Sequence, residues 1–234
     1  MLRQSYACCC QAALLHIASI VAICHNRGSY NKPYQWAILT CCFTAKIPTH
    51  LALTGRENVV PINIRKFRGS DAKEFQQAVL ESVEHLSKWL PWCTPDYSLC
   101  DATQWVKSAA ETWAAGTDYR FVIEDAKTFK ILGTVGINQI VPQHKTGNLG
   151  YWIRKSAINQ GVGTQSARQV TAFAFEELGF QRIEIHILTD NEASNAVACK
   201  LGGKYEGVFR NKLYFNGKSL PAKCYSIVPS DYEN

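Results

Sequence analysis

Hydrophobic and polar residues alternate in some segments after residue 60 and recur every three to four residues in others. Residues 60–67 alternate, which predicts a half-buried strand. A helix is predicted to begin after Gly69-Ser70-Asp71, where Ser70 or Asp71 can cap it. Its apolar face is formed by Phe75, Val79, Leu80, Val83 and Leu86. Pro91 ends this helical stretch, because proline cannot continue a helix.

A second helix is predicted over residues 101–116, and three strand patterns follow it. The helix is indicated by the spacing of Trp105, Ala109, Thr112 and Trp113. The strands are predicted at residues 119–123, 130–141 and 149–154, with turns at residues 124–125 and 144–147. Because the connections are short, we expect an antiparallel meander.

The last third of the chain alternates helices and strands. Helices are predicted at residues 163–178 and 192–201, and a strand at residues 182–188 lies between them. Two final strands, at residues 205–215 and 219–228, flank the turn Asn216-Gly217. This order indicates a mixed α/β (α+β) fold in one domain that spans residues 60–234.

Residues 1–59 show no sustained period and are interpreted as a poorly structured N-terminal extension. Their apolar segment, residues 6–24, is interrupted by Gln11, His16 and Ser19. A membrane-spanning helix needs about 20 residues with few polar breaks, and a secretory signal needs a cleaner apolar centre. A weak membrane anchor, an appendage without a core and sequence before the true translation start remain three alternatives.

Charge and cysteine content argue against two classes of ligand. The net charge is +6, but from residue 60 onward 20 basic residues face 18 acidic ones, without the basic stripe of a nucleic-acid reader. Cys93, Cys100, Cys199 and Cys224 form neither a CxxC pair nor a Cys/His spacing, so we expect no metal. Scattered cysteines suit a reducing compartment, and we expect a cytoplasmic protein.

The stretch Gln160-Gly161-Val162-Gly163-Thr164 enters a predicted helix and is the strongest candidate for ligand binding. Glycines let backbone N–H groups converge on an anion, and the helix N-terminus adds partial positive charge. A phosphate-bearing cofactor is therefore expected, with a simple tight turn as the alternative. The loop lacks the Gly-Lys-Ser/Thr of a Walker loop and the complete GxGxxG of a dinucleotide fold.

Four segments, in this order, resemble the GNAT superfamily, and within it the RimJ/RimL type of ribosomal-protein N-acetyltransferases. They are LSKWLPW (86–92), GYWIR (150–154), QGVGTQSA (160–167) and NEASNAVACKLGG (191–203). The resemblance covers about residues 61–232. It implies the GNAT acyl-CoA N-acyltransferase fold, a central, mostly antiparallel twisted sheet with flanking helices, and acetyl-CoA as the acyl donor.

The resemblance also implies roles for individual residues. The backbone of Trp152 and Ile153, followed by Arg154, would hold the pantetheine arm and polarise the thioester carbonyl. The pyrophosphate would bind to amides of Gln160, Gly161, Val162, Gly163 and Thr164. Asn191 and Ser194 would lie near the sulfur, with Ser194 protonating the departing thiolate.

Three positions depart from the family pattern. Ile158 replaces the Arg or Gln that begins the usual cofactor motif, whereas Asn148 and Leu213 replace glutamates that often act as the general base. The remaining candidates for the base are Glu184, His186 and His144, or a water chain. Glu184 and His186 share one strand face, which points either to a cleft or to solvent. Glu184 joins Ser194 and Asn191 as the predicted catalytic set.

The acceptor side leaves the function open between three alternatives. In the family the early helical segment walls this side, so Trp89, Trp92 and Tyr97 are predicted to bind substrate. The leading hypothesis is transfer to the N-terminal α-amine of a ribosomal protein. A small amine (a polyamine, an amino acid or an aminoglycoside) would use carboxylates such as Glu81, Glu84, Asp96 and Asp101. A non-catalytic acyl-CoA-binding module is the third alternative, and a homodimer is one of the oligomeric states left open.

Overall fold

The computed structural model describes residues 60–232, so the expectations about residues 1–59 lie outside the described residues. Its elements, in chain order, are β1 (Ile62–Lys66), α1 (Ala72–Leu86), α2 (Leu99–Ala115), β2 (Tyr119–Asp125), β3 (Ile131–Val141), β4 (Thr146–Ile153), α3 (Val162–Glu176), β5 (Arg182–Leu188), α4 (Glu192–Lys200), β6 (Lys204–Phe215), β7 (Lys218–Ile227) and α5 (Pro229–Tyr232). Within this range, every helix falls short of the length and apolar character needed to cross a membrane.

Local signals account for the helix boundaries. Ser98 and Asp101 cap the start of α2 reciprocally: the Asp101 N–H donates to Ser98 Oγ, and the Ser98 N–H donates to Asp101 Oδ2. Gly116 ends α2 with φ of 67°, a left-handed conformation that glycine adopts without strain. The predicted apolar face of α1 is wrong at Leu80, which is 40% exposed because it lies nearly opposite the buried Ala78 and Ser82 around the helix.

The seven strands form one sheet in the order β1-β2-β3-β4-β5-β7-β6. All pairs are antiparallel except β4 with β5, and the predicted meander of β2, β3 and β4 is confirmed. The strand β4 starts three residues earlier than predicted, at Thr146. Gly147 was interpreted as a turn residue, but it lies in the strand, where a Cβ atom would come within 2.6 Å of Ile137 Cγ2 and 2.9 Å of Phe180 Cε2.

Helices cover both faces of this sheet. On one face, α3 and α4 pack against the sheet residues Ile137, Leu149, Ile183, Ile185 and Ile187 through Val162, Ala167, Val170, Ala174 and Ala198. On the other face, α1 and α2 pack against Val122, Ile131 and Trp152 through Phe75, Val79, Ala102 and Val106. The two layers hold β4 on both sides, which fixes the strand that carries the GYWIR segment.

Candidate active site

The strands β4 and β5 part in the middle of the sheet and leave a cavity between them. They pair only from Thr146 to Asn148 on β4, opposite Arg182 to Glu184 on β5, although β4 continues along β3 as far as Ile153. The Asn148 side chain links the neighbouring strands at the point where β4 and β5 separate. Its Oδ1 accepts from the His186 N–H at 3.3 Å, and its Nδ2 donates to Asn138 Oδ1 at 2.9 Å. The cavity that opens there has a volume of about 570 Å³.

The predicted pyrophosphate loop lies at one end of this cavity. Gly161 precedes α3 with φ of 75°, and no side chain caps the first turn, so its N–H groups are free to bind an anion. Gly161, Val162, Gly163 and Thr164 line the cavity. The Gln160 side chain is turned away and donates from Nε2 to the Ser156 carbonyl at 2.8 Å. Ile158, where the family pattern has Arg or Gln, lines the cavity and is 40% exposed.

Two hydroxyl groups lie together on the cavity wall near the start of α4. Asn191 caps α4 by accepting from the Ser194 backbone N–H at 3.1 Å, which fixes the backbone of Ser194 at the cavity wall. Tyr151 of β4 also lines the cavity, and its hydroxyl is buried without a well-aligned partner in the described structure. Burial raises the pKa of Tyr151 to about 12, although the neighbouring Ser194 hydroxyl counteracts the rise. Tyr151 was not among the site residues predicted from the sequence.

Of the three candidate bases, only His186 lines the cavity. Its side chain is 3% exposed, and Glu184 Oε2 lies 2.9 Å from Nε2, though not aligned as a hydrogen bond. Burial and the charge of Lys212 lower the pKa of His186, and Glu184 opposes them, so the imidazole is uncharged at neutral pH. His144 is exposed in the turn before β4 and lies away from the cavity.

Glu184 supports His186 from behind rather than lining the cavity. Arg182 donates from Nε to Glu184 Oε1 at 2.9 Å, which leaves Oε2 facing the imidazole. Burial alone would raise the pKa of Glu184, but the hydrogen bond from Arg182 and the nearby His186 outweigh it and lower the pKa. Glu184 therefore lies outside the cavity lining, and His186 is the candidate base that reaches it.

A second histidine on the cavity wall was not anticipated. His85, in the last turn of α1, places Nε2 3.1 Å from the Ile153 carbonyl oxygen. A carbonyl oxygen can only accept, so Nε2 carries the proton and Nδ1 is left as an acceptor, buried without a partner among the described residues. The position could have been found in the sequence only by knowing that the end of α1 packs on the end of β4.

The structure corrects the expectation for Arg154. Its guanidinium is buried, with Nε donating to Glu81 Oε2 at 2.6 Å and Nη1 donating to the Ile131 carbonyl at 3.1 Å. Its backbone N–H donates to the Leu132 carbonyl. Because these contacts engage both the side chain and the N–H, Arg154 ties β4 to α1 and β3 instead of binding the cofactor.

The three aromatic residues predicted to bind substrate divide into two groups. Trp89 lines the cavity together with Leu90 and Pro91. Trp92 and Tyr97 instead belong to an aromatic cluster with Phe75, Trp105 and Trp152, in which Trp92 lies 5.8 Å from Tyr97 and 6.3 Å from Trp152 between ring centroids. The rings of Trp92 and Tyr97 pack against α1 and α2. They are therefore not available to contact a substrate in the cavity.

The wall of the cavity is free of carboxylates over the part of the chain from 60 to 232. His85, Leu86, Trp89 and Leu90 form one side, and Leu213, Tyr214 and Phe215 of the β6–β7 hairpin form another. Lys200 is the cation on the wall. Each carboxylate suggested for a basic substrate is placed elsewhere: Glu81 bonds Arg154, Glu84 pairs with Lys155, Asp101 caps α2, and Asp96 lies outside the cavity.

A parted β4/β5 pair next to an uncapped, glycine-led helix defines an acyl-CoA-binding N-acyltransferase site. The family model described as "Acetyltransferase (GNAT) domain" matches residues 62–204. The chain therefore belongs to the GNAT acetyltransferase family and is an acetyl-CoA-dependent N-acetyltransferase, as the sequence analysis predicted.

Individual relatives agree with this assignment. The uncharacterized N-acetyltransferase YoaA of Bacillus subtilis is 31% identical over 131 residues, which cover 56% of this chain and 74% of YoaA. The ribosomal-protein-serine acetyltransferase of Escherichia coli is 26% identical over 156 residues, or 67% of this chain and 86% of that protein. RimL, solved in complex with coenzyme A, superposes with a TM-score of 0.66 at 24% identity over 73% of this chain and 97% of RimL, which shows the shared fold.

Proposed function

We propose that this enzyme transfers the acetyl group of acetyl-CoA to the free α-amine at the N-terminus of a protein. The observation that carries the proposal is the cavity wall, where the acceptor side is aromatic and aliphatic and, within the described residues, lacks carboxylates. An N-terminal segment brings one amine and an apolar or neutral side chain to such a wall. The name of the Escherichia coli relative, a ribosomal-protein-serine acetyltransferase, makes a ribosomal protein the first acceptor to test.

A polyamine or an aminoglycoside fits this wall poorly. Such a substrate carries several positive charges, and desolvating each of them requires an opposite charge within the cleft. Lys200 and the two histidines, His85 and His186, supply no negative charge. Glu184, which lies beside His186, is already paired with Arg182.

The donor is held mainly by backbone groups in this proposal. The N–H groups of Gly161, Val162, Gly163 and Thr164 face the pyrophosphate at the positive end of α3. Ile153 lies on the part of β4 that has no β5 partner, so its main chain can pair with the pantetheine arm. The main chain of its neighbour Trp152 points toward β3, where the carbonyl approaches Gly133, so Trp152 contributes by fixing this part of β4. Binding by main-chain groups tolerates the replacement of a polar side chain by Ile158.

Side chains of the cavity can accept the proton that leaves the amine and donate the proton that the sulfur gains. The amine nitrogen forms a bond to the acetyl carbon while the carbon–sulfur bond breaks, so one proton leaves nitrogen and sulfur gains one. His186 is uncharged and accepts the proton from the amine. Tyr151 and Ser194 also line the cavity and act as proton donors to sulfur, and Asn191 fixes the backbone of Ser194.

An acceptor panel tests this function with the full chain and acetyl-CoA. The panel contains peptides that begin with Ser or Ala, the same peptides with a blocked N-terminus and an internal lysine, and spermidine. Release of free thiol and mass spectrometry of the product report the transfer. We expect acetylation only of peptides with a free α-amine, whereas preferential acetylation of spermidine or of the lysine would refute the proposed acceptor.

Three broader expectations accompany this proposal. The acetyltransferase domain extends over residues 60–234, and the enzyme works in the cytoplasm, which the free cysteines Cys93, Cys100, Cys199 and Cys224 support. A homodimer is supported by the edge strand β6, on which Tyr205, Val208 and Tyr214 are exposed. Sedimentation of the full chain measures the oligomeric state, and a monomer at all concentrations would exclude the homodimer.

A further inference from the structure

Three potential metal ligands meet on the β5–β7 pair behind the cavity wall. His186 on β5 lies directly opposite Cys224 on β7, and Glu184 precedes His186 by two residues on the same face of β5. One ligand atom of each side chain, a carboxylate oxygen, an imidazole nitrogen and the thiol sulfur, lies within 4.8 Å of the others. The alternating Ile183, Ile185 and Ile187 turn to the core on the opposite face, so the three polar groups are grouped by the pleat of the sheet.

The imidazole of His186 has an unused nitrogen although the ring is buried. Only 3% of its side chain is exposed; Nε2 lies 2.9 Å from Glu184 Oε2, and Nδ1 has no hydrogen-bond partner among the described residues. Buried polar nitrogens are rarely left without a partner, unless a water or an ion completes their coordination. Because Nε2 already lies beside Glu184 Oε2, a cation bound between them would take its charge balance from that carboxylate.

The other two groups are also available to a cation. Cys224 is fully buried and is a free thiol, and its sulfur makes only a weak contact at 3.9 Å with the Tyr225 carbonyl. Arg182 holds Glu184 by Oε1 alone, and Glu206 in turn holds Arg182 through two hydrogen bonds. Such outer contacts fix the direction of a metal-binding carboxylate. Lys212 and Arg182 are the cations that oppose the binding of a metal ion at this place.

We propose that Glu184, His186 and Cys224 form a binding site for a zinc ion. Sulfur, nitrogen and oxygen donors together select Zn²⁺ rather than Mg²⁺ or Ca²⁺, which prefer oxygen alone. Zinc bonds of about 2.0–2.3 Å separate tetrahedral ligand atoms by roughly 3.5 Å. To reach this separation, the 2.9 Å between His186 Nε2 and Glu184 Oε2 would widen slightly, and ligand atoms as far as 4.8 Å apart would approach by about 1 Å. Both changes are within the range of side-chain rotation. Three protein ligands leave one coordination position for water.

The zinc site would regulate acetyl transfer, because it shares His186 with the cavity. An imidazole nitrogen that donates its lone pair to zinc cannot accept a proton from the acceptor amine. This consequence rests on the proposed role of His186 as the base, whereas zinc binding itself does not. Zinc and the acceptor amine would then compete for the same ring, and bound zinc would inhibit the enzyme.

Metal binding is measured directly with the full chain after chelator treatment. Titration with Co²⁺ as a substitute for zinc should give the thiolate-to-cobalt charge-transfer absorption in the near ultraviolet. We expect the wild type to bind one equivalent more Zn²⁺ or Co²⁺ than the Cys224→Ala variant. Cys199→Ala, at an exposed cysteine outside the cluster, is the matched control and should bind as the wild type does. The cysteines before residue 60 contribute equally in every variant, so the difference isolates this site.

A second variant protects the test against misfolding of Cys224→Ala. Glu184→Gln changes a half-buried position and preserves an acceptor for Arg182, and it should weaken zinc binding at least tenfold. Equal stoichiometry and affinity in the wild type, Cys224→Ala and Glu184→Gln would overturn the zinc site. Zinc binding that depends on Cys224 but leaves acetyl transfer uninhibited would support the site and overturn the assignment of His186 as the base.

Discussion

Asn148 Oδ1 accepts a hydrogen bond from the backbone N–H of His186 at the place where β4 and β5 separate. The same side chain donates to Asn138 Oδ1 on β3 at 2.9 Å, so one amide links three neighbouring strands. A glutamate often occupies this position in the family, and it would carry a charge into the cavity. The amide here instead sets the position of the histidine that we propose as the base.

Replacing Asn148 should therefore impair catalysis through His186. We expect Asn148→Ala to lower kcat about tenfold and to destabilise the fold by about 1 kcal/mol, the usual contribution of such a hydrogen bond. Asn138→Ala is the matched control, because it removes the bond to Asn148 and leaves the contact to His186. Steady-state kinetics and urea unfolding measure both effects, and equal kcat values in the two variants would contradict the positioning role.

The pH profile should identify His186 as the base. Only the neutral imidazole accepts a proton, so kcat/KM of the wild type should fall as the pH drops through the pKa of His186, which lies below its usual value near 6.5. His186→Gln should lower kcat about 10²- to 10⁴-fold and abolish this acid limb. His85→Gln tests the other histidine on the wall, and loss of the limb in that variant would move the base to His85.

Glu184 should shift this acid limb without abolishing it. Its carboxylate raises the pKa of His186, against the larger effect of burial. Glu184→Gln removes that stabilisation of the imidazolium, so the limb should move to lower pH while the activity at neutral pH is largely preserved. A limb that disappears in Glu184→Gln would instead show that the carboxylate itself accepts the proton, as the sequence analysis expected.

The periodicity of the sequence predicted most of this fold but not the partners of the site residues. The alternation of Ile183, Ile185 and Ile187 predicted β5 and placed Glu184 and His186 on one face, because alternation is a local property of a strand. The pairing of His186 with Cys224 depends on the order of strands in the sheet, which a local pattern does not contain. The same limit explains Arg154, whose partner Glu81 lies on a helix far back in the chain.

Gly161 offers a test of the pyrophosphate loop. Alanine at its φ of 75° should destabilise the protein by roughly 1–2 kcal/mol, and the strained loop should weaken coenzyme A binding about tenfold. Gly179→Ala is the matched control, because Gly179 has φ of 66° and open space around its Cβ direction, at the far end of α3. Calorimetric titration should show normal coenzyme A affinity in Gly179→Ala, and equal losses in both variants would argue against the loop as the binding site.

Glu81 should make the stability of the fold depend on pH in acid. Burial alone would raise its pKa, but hydrogen bonds from Ser156 and Arg154 lower the pKa to about 2, below the ordinary value of 4.5. The stabilisation is therefore complete above about pH 4.5 and is lost as the pH falls toward about 2. We expect Glu81→Gln to reduce the free energy of unfolding at neutral pH by about 1 kcal/mol, given the solvent exposure of the pair, and to flatten its acid dependence.

Glu84→Gln is the matched control for Glu81, because Glu84 lies one turn further along the same helix and pairs with Lys155 at the fully exposed surface. Urea unfolding at several pH values should show no measurable change for Glu84→Gln. If the free energy of unfolding depended on acid pH equally in the two variants, the ion pair of Glu81 with Arg154 would not be the source of that dependence.

Tyr151 and Ser194 should act together as the proton source for the departing sulfur. Tyr151→Phe and Ser194→Ala should each lower kcat while preserving the affinity for coenzyme A, and the double variant should lose less than the product of the two effects, because the hydroxyls serve one proton. The pKa of Tyr151 is raised to about 12, which makes a prediction for the alkaline side of the pH profile. Because the hydroxyl keeps its proton at every pH below that value, kcat should not fall as the pH rises to about 10, the usual pKa of tyrosine. A limb near that value that disappears in Tyr151→Phe would show that the hydroxyl is solvated rather than buried beside Ser194.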